Sequence, residues 1–283
     1  MIKTGLPVEH GGESRVGLGS RMLRKTGFRA LWTSRPVSTA RYDGAHPLCF
    51  MHIPKASGTA LTLGLSQAVA REASGSGLDH VLFGGFTAFD TFSPAERARI
   101  YDHPASLPTS PGFVAGHFAH STLRQAYPRG QLMTVLREPV TRLMSLWMFW
   151  RQAMGTDLSG IGLWADYVRL AGQPLGTFLA EPRIAAQTDN GTLRQLLWPH
   201  PRIPRSGFIA PADDRSLLRL ARQRLADFAF TGIIERPGFL KALQDFLGRP
   251  LSYERHNETD KISAELRSPF ALELDAATLA LLE

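Results

Sequence analysis

Residues able to hold an anion gather in Phe50–Leu61, FMHIPKASGTAL, where Lys55 precedes Ala56, Ser57 and Gly58. Apolar residues lead in and out, the order of a strand, a loop and a helix. Thr59 and Ala60 open that helix, where backbone N–H groups and the helix dipole favour negative charge. Ser57 and Gly58 let those N–H groups converge, and Lys55 adds a full positive charge beside them. The chemistry suited is the binding of a phosphate-type group. The lysine comes before the glycine, so this is not the usual G-x-x-x-x-G-K-[ST] phosphate loop. A structural turn would explain Gly58 equally well.

A second set lies in TVLREPVTRLMSLW. Arg137 stands at the C-terminal end of an expected strand, where a parallel sheet presents its ligands. Ser145 follows eight residues later, about two turns into the next helix. The arginine offers a planar fork for phosphate oxygens, and the serine a hydroxyl donor. Read alone, Arg137 and Arg142 fit surface or salt-bridged arginines as well.

The two sets together resemble the sulfotransferase superfamily. HIPKASGTAL is similar to its 5′-phosphosulfate loop, and TVLREPVTRLMSLW to the motif whose Arg and Ser clamp a 3′-phosphate. AGHFAH resembles the Gly-His segment of the carbohydrate branch, which includes heparan sulfate 2-O-sulfotransferase. DNGTLRQLL, FAFTGIIERPGFLKALQDFLG and HNET resemble later segments of that branch, so the likeness runs from about Pro47 to Lys261. Ala56-Ser57 departs from the commoner Thr-Gly or Thr-Ala, and Glu138 stands in place of an Asp.

The resemblance implies a three-layer α/β/α fold of the phosphate-loop-kinase-like sulfotransferase type. It implies 3′-phosphoadenosine 5′-phosphosulfate (PAPS) as donor and a carbohydrate or glycolipid hydroxyl as acceptor. Lys55, Ser57, Gly58, Thr59, Ala60, Arg137 and Ser145 then hold the donor, with Lys55 also on the leaving-group side. His117 matches the Gly-His position, and an unperturbed pKa near 6.5 suits a general base. His120 is the alternative base. The HFAH pair lacks convincing partners, so no metal is expected. Two rival readings are a nucleotide-dependent kinase and a non-catalytic glycan- or nucleotide-binding protein on the same fold.

The elements that must position these residues alternate along the chain. LCFMHI, DHVLFGG, GFVAGHFA, QLMTVLR and AFTGIIE read as strands. Helices are expected from Thr59, ended by Gly75-Ser76-Gly77, from Pro94 behind the cap Ser93, and from Pro139. Further helices follow after Gly155, at DDRSLLRLARQRLADF, at PGFLKALQDFLG and at the end of the chain. Alternating strands and helices indicate an α/β fold with a mostly parallel sheet.

The 283 residues carry a net charge of +7. Residues 1–45 hold eight Lys or Arg against Glu9, Glu13 and Asp43, so +5 of that charge lies there. This stretch reads as a basic, flexible extension with a possible peripheral contact to an anionic surface, and 46–283 as the folded domain. The rest is nearly neutral, which argues against nucleic-acid binding by the folded part. No apolar run approaches a membrane span, and the first residues lack the apolar core of a secretory signal, so a cytoplasmic location is expected. Cys49 is the single cysteine, which excludes an internal disulfide and suggests a buried, inert thiol. Most of Trp147, Trp150, Trp164 and Trp198 read as core, and Arg202 and Arg205 as a solvated basic loop.

Overall fold

The computed structural model describes residues 41–69, 74–253 and 274–282. Most of the expected N-terminal extension, and the HNET segment, lie outside the described residues. Tyr42 is joined to the fold, its N–H donating to the Phe246 carbonyl at 2.8 Å.

Six strands form one sheet: β1 (Leu48–Met51), β2 (Ser74–Asp79), β3 (Ile100–Tyr101), β4 (Phe113–His117), β5 (Gln131–Leu136) and β6 (Phe230–Ile233). Their order is β3-β2-β4-β1-β5-β6, and every pairing is parallel. The helices are α1 (Gly58–Val69), α2 (Pro94–Arg97), α3 (His120–Ala126), α4 (Pro139–Ala153), α5 (Trp164–Arg169) and α6 (Leu175–Leu179). They continue as α7 (Ala185–Thr188), α8 (Gly191–Leu197), α9 (Asp214–Leu225), α10 (Phe239–Leu247) and α11 (Ala276–Leu282).

All four residues of β1 are fully buried, as befits a strand covered on both faces. Successive side chains point to opposite sides. Cys49 and Met51 join Leu123 of α3, Leu196 of α8 and Leu217 of α9. Leu48 and Phe50 join Leu61 and Leu65 of α1 with Leu243 and Phe246 of α10. Helices therefore cover both faces, the α/β layering expected. Trp147, Trp150 and Trp164 are core residues beside Phe83 and Phe178. Burial pushes the Cys49 thiol up to about 12, which keeps it protonated.

Two expectations fail between β1 and β4. Gly75-Ser76-Gly77 does not end a helix; it forms β2, paired with β4 on one side and β3 on the other. A Cβ at Gly77 would stand 2.2 Å from the Tyr101 ring, so the strand uses glycine where a neighbour approaches. DHVLFGG is not a strand but a single tight helical turn, His80–Phe83, capped by the Asp79 carboxylate accepting from Val81 N–H. The α2 cap is as read, with Ser93 Oγ accepting from Glu96 N–H and Pro94 at the first position. That helix lasts one turn, because Ile100 and Tyr101 are drawn into the sheet edge.

The topology places the site. Along the sheet the chain runs outward from β1 to β2 and β3, then returns to β4, and goes the other way through β5 and β6. β1 is where the order reverses, and ligands of open parallel sheets bind beyond the C-terminal strand ends there. Met51 pairs with Gly116 on one side and Thr134 on the other, so β1, β4 and β5 finish at one level.

Candidate functional site

The chain leaves β1 through His52 and enters α1 at Gly58. Ala56 N–H closes the turn onto the Ile53 carbonyl at 3.1 Å. Lys55 and Ser57 have φ of 66° and 62°, the left-handed region that disfavours residues with a Cβ. Each such residue costs about 1–3 kcal/mol, so surrounding contacts must hold the conformation. Arg137 Nη1–H donates to the Lys55 carbonyl at 2.9 Å, and the Ser57 and Tyr253 hydroxyls share a hydrogen bond of 2.6 Å. Gly58 is required by packing: a Cβ there would lie 1.6 Å from His52 Nε2. Thr59 is exposed and Ala60 buried, and the first N–H groups of α1 have no partner within the helix.

The half-buried Lys55 rests its ammonium 4.0 Å from the centre of the Phe149 ring, a cation–π contact. Burial pushes its pKa down to about 8, and the Arg137 charge adds to the effect. Arg137 follows β5 directly; its Nε lies 3.9 Å from Glu235, which also accepts from Glu138 N–H at 3.0 Å. Glu138 caps α4 by accepting from Val140 and Thr141 N–H, so this helix start is already occupied by a carboxylate. Ser145 is half-buried on α4, one turn before Phe149 and therefore on the side that faces Lys55. The structure joins Lys55 to Arg137 directly, and brings Ser145 to the same side through Phe149.

His117 ends β4 with its ring 4.2 Å from that of His52, centre to centre. Its Nδ1 lies 2.8 Å from the His52 carbonyl. A carbonyl can only accept, so Nδ1 carries the proton and Nε2 keeps the lone pair. Burial pushes the His117 pKa down to about 4; the His52 bond opposes this, and the Arg99 and Lys55 charges reinforce it. The ring is neutral at pH 7 with its lone pair on Nε2, but it is a weaker base than the unperturbed imidazole the sequence led us to expect. His120 has a different place. It is 3% exposed at the start of α3, packed beside Phe228 with Nε2 3.3 Å from Asp227.

Several supporting residues have no counterpart in the sequence reading. Gln195 of α8 donates its amide to both the His52 and Phe118 carbonyls at 3.2 Å, tying β1 to β4 behind His117. Asp79 is buried and accepts from Thr122 Oγ and from the N–H groups of Val81 and Ala119. It fixes the segment that follows His117. An Asp directly before a tight turn is a cap signal that could have found it; Gln195 gives no such signal, lying on the buried side of its helix.

The arginine of DNGTLRQLL is a structural clamp. Arg194 is 2.7 Å from the Asp189 carboxylate and donates to the carbonyls of Asp189, Pro204 and Gly207. Asp189 also accepts from Ile209 N–H. Replacing Arg194 with Met strands a largely buried carboxylate and three carbonyls, which costs about 3–5 kcal/mol. Denaturant unfolding should show it as a lower midpoint; a change below about 1 kcal/mol would contradict the clamp.

Among the described residues, no group of three or more His, Cys, Asp or Glu is placed to hold a metal, and no helix is long and apolar enough to cross a membrane. Compared with known proteins, the chain matches no family model and no curated protein.

Proposed function

We propose that this chain is a sulfotransferase that moves a sulfuryl group from PAPS to a hydroxyl of a carbohydrate-type acceptor. The observation that carries the reading is the bond from Arg137 to the Lys55 carbonyl. It joins two motifs 82 residues apart at the ends of neighbouring strands, with His117 ending the strand on the other side of β1. The residues present fit an anionic donor: two half-buried cations stand at a loop in strained conformation, and the Lys55 ammonium faces an aromatic ring.

PAPS supplies an activated sulfuryl group whose sulfur–oxygen bond breaks as a new one forms to the acceptor oxygen. Arg137 and Ser145 bind and set register. The α1 N–H groups and Lys55 stabilise negative charge on the leaving side, an effect that counts only where it strengthens in the transition state. His117 Nε2 takes the acceptor proton, and Nδ1–H stays on the His52 carbonyl, holding the tautomer. A cytoplasmic working place and an anionic contact through residues 1–45 belong to the same proposal.

The pH dependence follows from the two shifts. Lys55 acts as a cation and loses its proton as pH rises through about 8. His117 must be neutral and gains a proton only as pH falls through about 4. The profile of kcat/KM should be level between these values and fall above about 8. A profile still rising at pH 9 would oppose the role given to Lys55.

Labelled sulfate transfer from PAPS to a panel of glycans, with a chelator present, tests the reading. Transfer without added metal is expected. A chain that transfers to none of them and shows no heat of binding with adenosine 3′,5′-bisphosphate would overturn it. Phosphoryl transfer from a nucleoside triphosphate, dependent on magnesium, would favour a kinase.

A further inference from the structure

A small cavity lies beyond the Pro54 turn, lined by Pro54, Leu82, Arg142, Gln187, Gly191 and Gln195 among others. Two of its polar groups are left short of partners. Arg142 is 5% exposed, yet among the described residues its guanidinium makes one hydrogen bond, 3.4 Å to the Gln187 carbonyl. A guanidinium has five N–H donors, and a buried one is ordinarily paired with an anion. Burial pushes its pKa down to about 10, and the charge of Arg137, another cation, adds to the effect. Gln195 is 4% exposed, and its Oε1 has no partner. Both N–H groups of that amide face carbonyls, so the amide cannot be turned round and the acceptor stays on its present side.

We propose that this cavity is a binding site for one small oxyanion that still carries a proton, with inorganic phosphate as the simplest case. The anion's oxygens accept from Arg142, and its O–H donates to Gln195 Oε1. Sulfate satisfies the first demand and not the second, so phosphate binds more tightly than sulfate. The space admits a group of a few atoms and no sugar ring. The site adjoins the Lys55 loop, sharing Pro54 with it and, through Gln195, the His52 carbonyl that holds His117, but it does not depend on the sulfotransferase reading.

The test is a thermal unfolding series of the full chain with inorganic phosphate or sulfate. It compares wild type, Lys55→Met, Arg142→Met, and Lys55→Met combined with Arg142→Met. Phosphate should raise the midpoint of wild type and of Lys55→Met, more than sulfate does, by linkage of binding to folding. Arg142→Met should remove most of the shift that persists in the Lys55→Met background. An equal shift with and without Arg142, or no shift in wild type, overturns the site. Should Arg142→Met fail to fold, wild-type crystals soaked in arsenate decide the matter by anomalous scattering. A peak within hydrogen-bond distance of the Arg142 guanidinium supports the proposal, and peaks only elsewhere overturn it.

Discussion

Lys55→Met should lower sulfuryl transfer by about 100- to 1000-fold, the loss typical of removing one preorganised donor from a developing charge. Methionine keeps an unbranched stem that can still lie on the Phe149 ring, so the packing around the loop is largely preserved. The substitution also removes a charge whose burial is unfavourable, as its lowered pKa shows. The folded chain should therefore be as stable as wild type while its turnover collapses. Steady-state kinetics with PAPS, alongside a melting curve, separates the two effects. Turnover within a few-fold of wild type would remove Lys55 from the leaving side. A loss matched by an equal loss of stability would make it structural.

His117→Asn is expected to cost about 100- to 10,000-fold, the usual range for a lost general base. Asparagine can place its amide N–H near the position of Nδ1 and keep the bond to the His52 carbonyl, but it has no basic nitrogen to replace Nε2. His117→Ala gives the complementary test, because it opens space for free imidazole. Partial recovery of turnover by added imidazole, with none for the Lys55 variant, would mark a missing base. Near-normal transfer by His117→Asn would sink the assignment, leaving the ring as a packing partner of His52.

Most of the sheet was legible because its strands are short apolar runs bounded by Gly and Pro. LCFM, FVAGH and QLMTVL are strands where periodicity placed them. The failure at Gly75-Ser76-Gly77 has a physical cause. A strand's identity there comes from pairing with β4, from β3 joining at Leu78 and Asp79, and from the Tyr101 ring lying over Gly77, none of which local propensity contains. The site divides in the same way. Lys55, Arg137 and His117 were legible as charged or titratable residues at strand ends. Gln195 and the role of the His52 carbonyl were not, since they depend on α8 being carried back beneath β1 from more than 140 residues away. Arg142 read as a surface or salt-bridged arginine; its burial follows from the face of α4 that packs inward. Arg194 belonged to a segment singled out by likeness, and its four bonds show what that segment does in this chain.

On the proposed function, the two left-handed residues of the loop set heat resistance and activity against each other. Glycine at position 55 or 57 would relax the backbone where lysine and serine now hold it under strain. A library of variants screened only for survival on heating would thus collect glycine at both places and discard the Lys55 ammonium on the way. Any thermostabilised descendant of this protein should be sequenced at position 55 before its silence in an assay is blamed on the wrong acceptor.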